Sequence, residues 1–521
     1  MKKLFVILLV IAWATAARGE IAVWSHPCLQ PMVKEAPAPG TPSVTMSFKV
    51  TPGEYEPAAF AVRSEKAAPL IVSLSGLEGL GWLPPDWCEL HKVASLDEST
   101  QPNRLHEFEN PLNLQPGITQ FFWITVRPPA DARPGKYIGR VFLQSVHEVK
   151  QLEIRCEVLP FRLEKSPITG GTFMDQTNLP PAWYRDMKEH GLNAIQYFWG
   201  YNAHVTRQDE ELAIDLSRMD NFMADFNACG MTGPVIISLG NDYHMHYERR
   251  IAEAYGMPID TSKNIDGKRI MGPPISPKLD KLFADGLRQI RDHWKRKEYP
   301  QELVVLIYDE PTERLLERGK NRYDLLKTVM PDTRVYGVVM DRRIWAEQML
   351  DQCDIIVANG DLTGCRKLAR QNGKGYWVYS GPLGSPKTAR YKMGSWAWRA
   401  HADGVFFWMY NYWSYDLDGC AVYPHPDDRS KLVRSTAWES VREGMDDLRY
   451  IATAESLIDK AKGEKKRAAA ARLKKLRQAL DPEIRKRDMA GKENEIPQLP
   501  ENHDDPELLR QQVLEIILDL L

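Results

Sequence analysis

The hydrophobic pattern of this chain changes period along its length, and each change marks a boundary. From about residue 20 to 165, short apolar runs stand between Pro/Gly turns. Ser43 to Val50 precedes Pro52-Gly53, and Ala58 to Val62, Leu70 to Leu74 and Phe121 to Val126 follow. Pro134-Gly135-Lys136 then leads into Tyr137 to Leu143, with Val149 to Val158 behind it. Short strands, turn punctuation and no helical period predict a β-sandwich over 18–165.

Beyond 166, continuous apolar runs alternate with helical stretches. Ile168 to Asp175, Asn193 to Trp199, Pro234 to Leu239 and Leu303 to Asp309 give four strands. Arg334 to Val339, Asp354 to Ala358, Gly375 to Tyr379 and Val405 to Tyr410 give four more. Uninterrupted apolar runs are what a parallel sheet buried on both faces requires. Eight such units with helices between them predict a closed (β/α)8 TIM barrel, an α/β fold, over 166–450. No glycine-rich phosphate fingerprint follows any strand, which argues against an open doubly wound sheet. The third connection, Gly240 to Pro277, is long and rich in His, Tyr and charge. Loops after barrel strands line the catalytic face, so it is a candidate wall or lid. From 451 to 521 the chain reads as a charged helical extension, and Lys465, Lys466, Arg467, Lys474 and Lys475 as a solvated helix face.

The first residues change the picture of where the protein works. Lys2 and Lys3 precede the apolar run Leu4 to Ala14, and small residues follow to Ala17. This predicts a cleaved export signal over 1–17, too short to span a bilayer, and hence a periplasmic or extracellular protein without stable membrane insertion after cleavage. A net charge of −2 suggests no nucleic acid partner. The 15 Trp and 20 Tyr raise the prospect of a glycan or glycoconjugate substrate, because the flat C–H faces of sugars stack on aromatic rings; large aromatics also fill cores. The seven cysteines match no metal or redox spacing, so neither a metal nor an organic cofactor is expected.

The sharpest chemical signal is Val304-Val305-Leu306-Ile307-Tyr308-Asp309-Glu310-Pro311, an apolar strand running into two carboxylates. Barrel catalytic residues come from such strand ends. An Asp N-cap with Glu in the first helical turn would give the same letters. A retaining glycosidase needs a second carboxylate about 5 Å from the first, an inverting one a wider gap. The seventh strand, where a nucleophile commonly stands, ends Tyr379-Ser380-Gly381 with no acid. Adjacent acids could instead serve a 2-acetamido sugar whose own carbonyl oxygen attacks the anomeric carbon. Asp309 would then orient the amide N–H, and Glu310 would protonate the leaving oxygen and later deprotonate water. Asp175, Asp242, Asp341 and Asp361 are alternative strand-end partners. Two aromatic clusters are candidate sugar-binding walls. One is Trp199, Tyr201 and Asn202 after strand two, with His204 the weaker neighbour. The other is Tyr410, Asn411, Tyr412 and Trp413 after strand eight, and Tyr379 at the end of strand seven is a further candidate contact. Phe406 and Trp408 read as barrel filling.

Gly404 to Trp413, Ala421-Val422-Tyr423-Pro424, Ser435 and Trp438 to Asp447, together with Tyr308-Asp309-Glu310-Pro311 and a leading β-sandwich, resemble glycoside hydrolase family 123. Asp418-Gly419-Cys420 stands where such proteins often carry a Gly-Asp pair. The resemblance implies a retaining β-N-acetylgalactosaminidase that uses the substrate's acetamido group, with the family's adjacent acids falling on Asp309 and Glu310. Two other readings stay open: a barrel glycosidase acting on a sugar without an acetamido group through another strand-end carboxylate, and a glycan-binding protein without catalysis.

Overall fold

The computed structural model describes residues 21–174, 179–241, 244–260, 272–340, 344–359, 362–411, 420–428, 430–477 and 505–521. The predicted export signal, the strand-end acids Asp175, Asp242, Asp341 and Asp361, and the aromatics Tyr412 and Trp413 lie outside the described residues. The chain divides into two compact units, one reaching Leu163 with short later pieces, the other beginning at Glu164.

The first unit is a sandwich of two sheets. One contains Ala22–His26, Glu56–Arg63, Thr119–Val126 and Cys88–Ala94 in that order, antiparallel throughout. The other orders Thr45–Val50, Val149–Val158, Gly135–Gln144 and Ala68–Leu74. Alternate residues of each strand turn inward, so Phe60, Val62, Phe122 and Ile124 meet Leu70, Val72, Leu143, Leu152 and Ile154 in one core. Late in the chain, Leu432–Ser435 joins the first sheet, pairing Arg434 with Leu105. The last barrel helix follows it, beginning at Thr436.

The second unit is a closed barrel of eight parallel strands, each fully or largely buried. They are Thr169–Met174, Ala194–Tyr197, Val235–Ser238, Leu303–Leu306, Arg334–Met340, Ile355–Asn359, Gly375–Ser380 and Gly404–Phe407. The lumen is filled by large rings from some strands against glycine on others. Phe406 stacks flat on Trp377 at 5.2 Å between centroids. A Cβ on Gly171 would fall 2.2 Å from the Phe406 ring, so only glycine fits there. Helices Pro181–Glu189, Ser217–Ala228, Pro277–Arg296 and Glu313–Val329 cover the outside. Two additions were not expected. A short antiparallel hairpin, His204–Gln208 with Glu211–Asp215, follows strand two, and the helix His246–Ala254 sits within the third connection.

The C-terminal part is helical, as expected, and its described residues from Val441 on, those on either side of 451 included, group with the barrel unit. The helix Thr436–Lys460 runs through that position without a break. The final helix, Pro506–Leu520, is tied down by Arg510, which donates to Asp447 at 2.5 Å and to Glu443 at 2.7 Å. Arg390 donates to the same Asp447 at 2.8 Å. Two guanidiniums against two carboxylates, all almost entirely buried, compensate one another's loss of water. No disulfide joins any of the seven cysteines.

Candidate active site

Asp309 and Glu310 follow the fourth strand, and both are half-buried. Pairing continues one step beyond the strand. Asp309 bridges Asn241 in parallel, and its N–H donates to the Gly240 carbonyl at 2.9 Å. Glu310 adopts φ +45°, a left-handed conformation unusual for a residue with a Cβ. Its Oε1 accepts from the Asn359 side-chain amide at 3.1 Å. Asn359 ends the sixth strand; the sequence reading stopped that strand at Ala358 and missed the residue. A polar side chain closing an apolar run was the only available signal.

Two phenols accompany the acids. Tyr379, at the end of the seventh strand, is half-buried and sits edge-on to Phe173 at 4.9 Å. Burial, then the charges of Asp309 and Glu310, push its ionisation well above the usual range, so it stays a hydrogen-bond donor. Tyr336, on the fifth strand, is shifted the same way by burial and by Asp309. Its hydroxyl is buried with no hydrogen-bond partner among the described residues.

The third connection walls the site beside Asp309. The Asn241 side chain accepts from the His244 N–H at 2.7 Å, and Asn241 N–H donates to the His244 carbonyl at 2.9 Å. His244 and His246 stack at 5.1 Å, and Tyr201 meets His246 edge-on at 5.3 Å. Burial, then His244, Arg250 and Arg249, press the His246 pKa down to about 3, so its ring is neutral at ordinary pH.

Of the candidate sugar-wall residues, some reach the rim and others do not. Tyr201 is 54 % exposed. Asn202 is half-buried, its amide 3.4 Å from the Phe198 carbonyl. Asn411 is 5 % exposed, and its side-chain oxygen has no partner among the described residues. Trp199 and Tyr410 are corrections. Trp199 is 3 % exposed and packs on Tyr247 at 5.1 Å. Tyr410 is fully buried, turned into the helix layer, where its hydroxyl donates to Asp186 at 3.0 Å and its ring meets Trp183. Neither ring presents a face on which a sugar could stack. His204 is exposed on its hairpin. Phe406 fills the lumen, as described. Among the described residues no group of three His, Cys, Asp or Glu side chains is placed to hold a metal.

With this geometry in view, the comparisons place the chain. The family model described as "Glycoside hydrolase 123, catalytic domain" matches residues 193–454. The chain is a glycoside hydrolase built on a (β/α)8 barrel. It belongs to glycoside hydrolase family 123. Among solved structures, a family 123 glycoside hydrolase from Clostridium perfringens, studied for glycolipid glycan hydrolysis, superposes with a TM-score of 0.68. The identity is 12%, covering 96% of this chain and 98% of that one, so the likeness is one of fold. An endo-β-1,4-mannanase from Thermotoga petrophila matches with a TM-score of 0.38 at 12% identity, over 55% of this chain and 77% of its own, too distant to carry an argument. No curated protein matches the chain.

Proposed function

We propose that this family 123 enzyme is an exported, exo-acting, retaining β-N-acetylhexosaminidase that prefers N-acetylgalactosamine and uses the substrate's acetamido group as nucleophile. One observation carries the reading: two adjacent carboxylates stand at the barrel mouth, while the seventh strand offers a phenol, Tyr379, in place of an acid. Asp309 accepts the acetamido N–H, which makes the carbonyl oxygen more nucleophilic and aims it at the anomeric carbon. That oxygen attacks as the glycosidic bond breaks, and Glu310 gives its proton to the departing oxygen. The anomeric carbon is then held in a five-membered oxazolinium ring. Glu310, now a carboxylate, takes a proton from water, which opens the ring from the face the leaving group left, so configuration is retained. Asn359 steadies Glu310, and the protonated Tyr379 offers a donor beside both acids. Tyr201, Asn202 and Asn411 supply the sugar contacts. The Lys2-Lys3 and Leu4 to Ala14 pattern supports export. The test compares aryl 2-acetamido-2-deoxy-β-galactosides with the matching 2-hydroxy β-galactosides. Hydrolysis confined to the acetamido series, with inhibition by the corresponding thiazoline, is expected. Equal turnover of the 2-hydroxy series would mean a protein nucleophile from another strand end.

A further inference from the structure

The residue just before the acid pair points the other way. Tyr308 is buried, and its hydroxyl donates to Glu248 Oε2 at 2.7 Å. Glu248 is 2 % exposed and comes from the helix His246–Ala254 in the third connection. Two arginines of the helix Glu313–Val329, which follows the fourth strand, close the group. Arg318 Nε lies 3.1 Å from both Glu248 Oε2 and the Tyr308 hydroxyl, and Arg322 Nε donates to Glu248 Oε1. Arg322 also reaches Asp280 at 2.5 Å, and Arg318 donates to the Pro273 carbonyl at 2.8 Å.

Direction in this network is fixed by charge. Burial alone would drive Glu248 neutral, but Arg322 and Arg318 outweigh it and hold the carboxyl below its ordinary range. Burial and then Glu248 push the Tyr308 phenol up, so the proton stays on the tyrosine. Arginine has no acceptor to offer, so Glu248 is where the Tyr308 proton must point. Meanwhile Asp309, the next residue, is held on its other side by Gly240. The chain is therefore gripped from the helix layer and from the third connection immediately before Glu310 enters its left-handed conformation. Such a conformation persists in a residue with a Cβ only where the surroundings over-determine it.

We propose that Tyr308, anchored by Glu248 and Arg318, is a positioning residue that keeps Glu310 aimed at the glycosidic oxygen. This rests on reading Glu310 as the general acid. A purely structural anchor would lower the yield of folded enzyme and affect every substrate alike. A positioning role depends on how much the leaving group needs a proton, because a misaimed acid harms only reactions that require it.

The experiment uses the full chain with 4-methoxyphenyl and dinitrophenyl 2-acetamido-2-deoxy-β-galactosides, reading kcat/KM per folded enzyme. Tyr308→Phe keeps the ring and removes one hydroxyl. It is expected to lower kcat/KM about ten-fold on the methoxyphenyl substrate and less than about two-fold on the dinitrophenyl one. Glu310→Gln should show the same dependence more strongly, and the double variant should be no worse than Glu310→Gln alone. Glu248→Gln, which still accepts from Tyr308, should fall between Tyr308→Phe and the parent; if it fails to fold, Tyr308→Phe alone decides. An equal loss on both substrates, or none, in Tyr308→Phe overturns the positioning role while leaving Glu310 as the acid. A Glu310→Gln variant indifferent to the leaving group overturns both readings.

Discussion

The fourth and eighth strand ends are built on one plan and fitted out differently. At each, a tyrosine turns out of the barrel and donates to a buried carboxylate, Tyr308 to Glu248 and Tyr410 to Asp186. At each, the residues that follow are the candidate site groups: Asp309 and Glu310 in one case, Asn411 in the other. Behind Glu248 stand two guanidiniums. Behind Asp186 stands His190, whose Nε2 lies 3.1 Å from Arg442 Nη2 and whose Nδ1 lies 2.7 Å from the Asp186 carbonyl. The Tyr410 backbone is pinned as well, its N–H to the Phe173 carbonyl at 3.1 Å and its carbonyl by Val422 N–H at 3.0 Å. Strand four thus ends on a densely charged anchor that holds a strained acid. Strand eight ends on one backed by an imidazole and a single guanidinium, and it holds a neutral amide.

The largest expected effect separates the two ends by chemistry. Glu310→Gln should lower kcat/KM on glycosides with poor leaving groups by about 10²–10⁴, whereas Asn411→Ala, losing one hydrogen bond to sugar, should cost about ten-fold. Steady-state kinetics on one substrate checks both, and similar losses would erase the distinction between acid and binding group. Next in size is stability. Glu248→Leu strands two buried guanidiniums and should cost about 3–5 kcal/mol in urea unfolding. Asp186→Leu takes the carboxylate acceptor from the Tyr410 phenol, while His190 keeps the backbone carbonyl, and should cost about 1–3 kcal/mol. The reverse order would mean that the charge count behind each tyrosine does not set its hold.

A smaller effect is expected of Tyr410→Phe. It keeps the ring against Trp183 and should lose about 1 kcal/mol of stability, with a modest rise in KM and kcat nearly unchanged. A fall in kcat with KM fixed would place Tyr410 with Tyr308 as a support of the acids.

An effect of similar size concerns pH. His246 has its pKa lowered to about 3 in the folded chain from an ordinary 6.5. The unfolded chain therefore binds more protons between those values. The neutral ring's contribution is complete above pH 6.5 and is lost as pH falls toward 3. Thermal unfolding at pH 7 and 5 should differ by about 1–2 kcal/mol from this residue, a difference that His246→Phe removes. A variant with the same pH slope as its parent would show that the wall beside Asp309 carries no such titration.

Much of the fold was legible because burial writes itself into runs of apolar residues. All eight barrel strands and the long sandwich strands fall where those runs lie. The overshoots are instructive. Strands two, four and eight end earlier than their apolar runs, because Trp199, Ile307, Tyr308, Met409 and Tyr410 are apolar for packing, not for pairing. The hairpin His204–Gln208 with Glu211–Asp215 went unseen because its exposed residues carry no apolar pattern.

For the site, an acid pair ending a strand stood out in one dimension, whereas Asn359, Tyr336 and Glu248 join it only through contacts between distant segments. Trp199 and Tyr410 were misread for a related reason. An aromatic at a strand end looks the same whether it faces the lumen or the helices, and its parity is set by the whole barrel's register. The family-like stretch Trp438 to Asp447 has a packing explanation at several positions. Arg442 supports His190, and Glu443 and Asp447 receive Arg510.

The most direct measurement is a crystal structure of the enzyme with the thiazoline derived from N-acetylgalactosamine. The account predicts the ring nitrogen within hydrogen-bond distance of the Asp309 carboxylate, with the Glu310 carboxyl beside the anomeric carbon. A thiazoline bound elsewhere, or seated in the mouth without touching either acid, would contradict it.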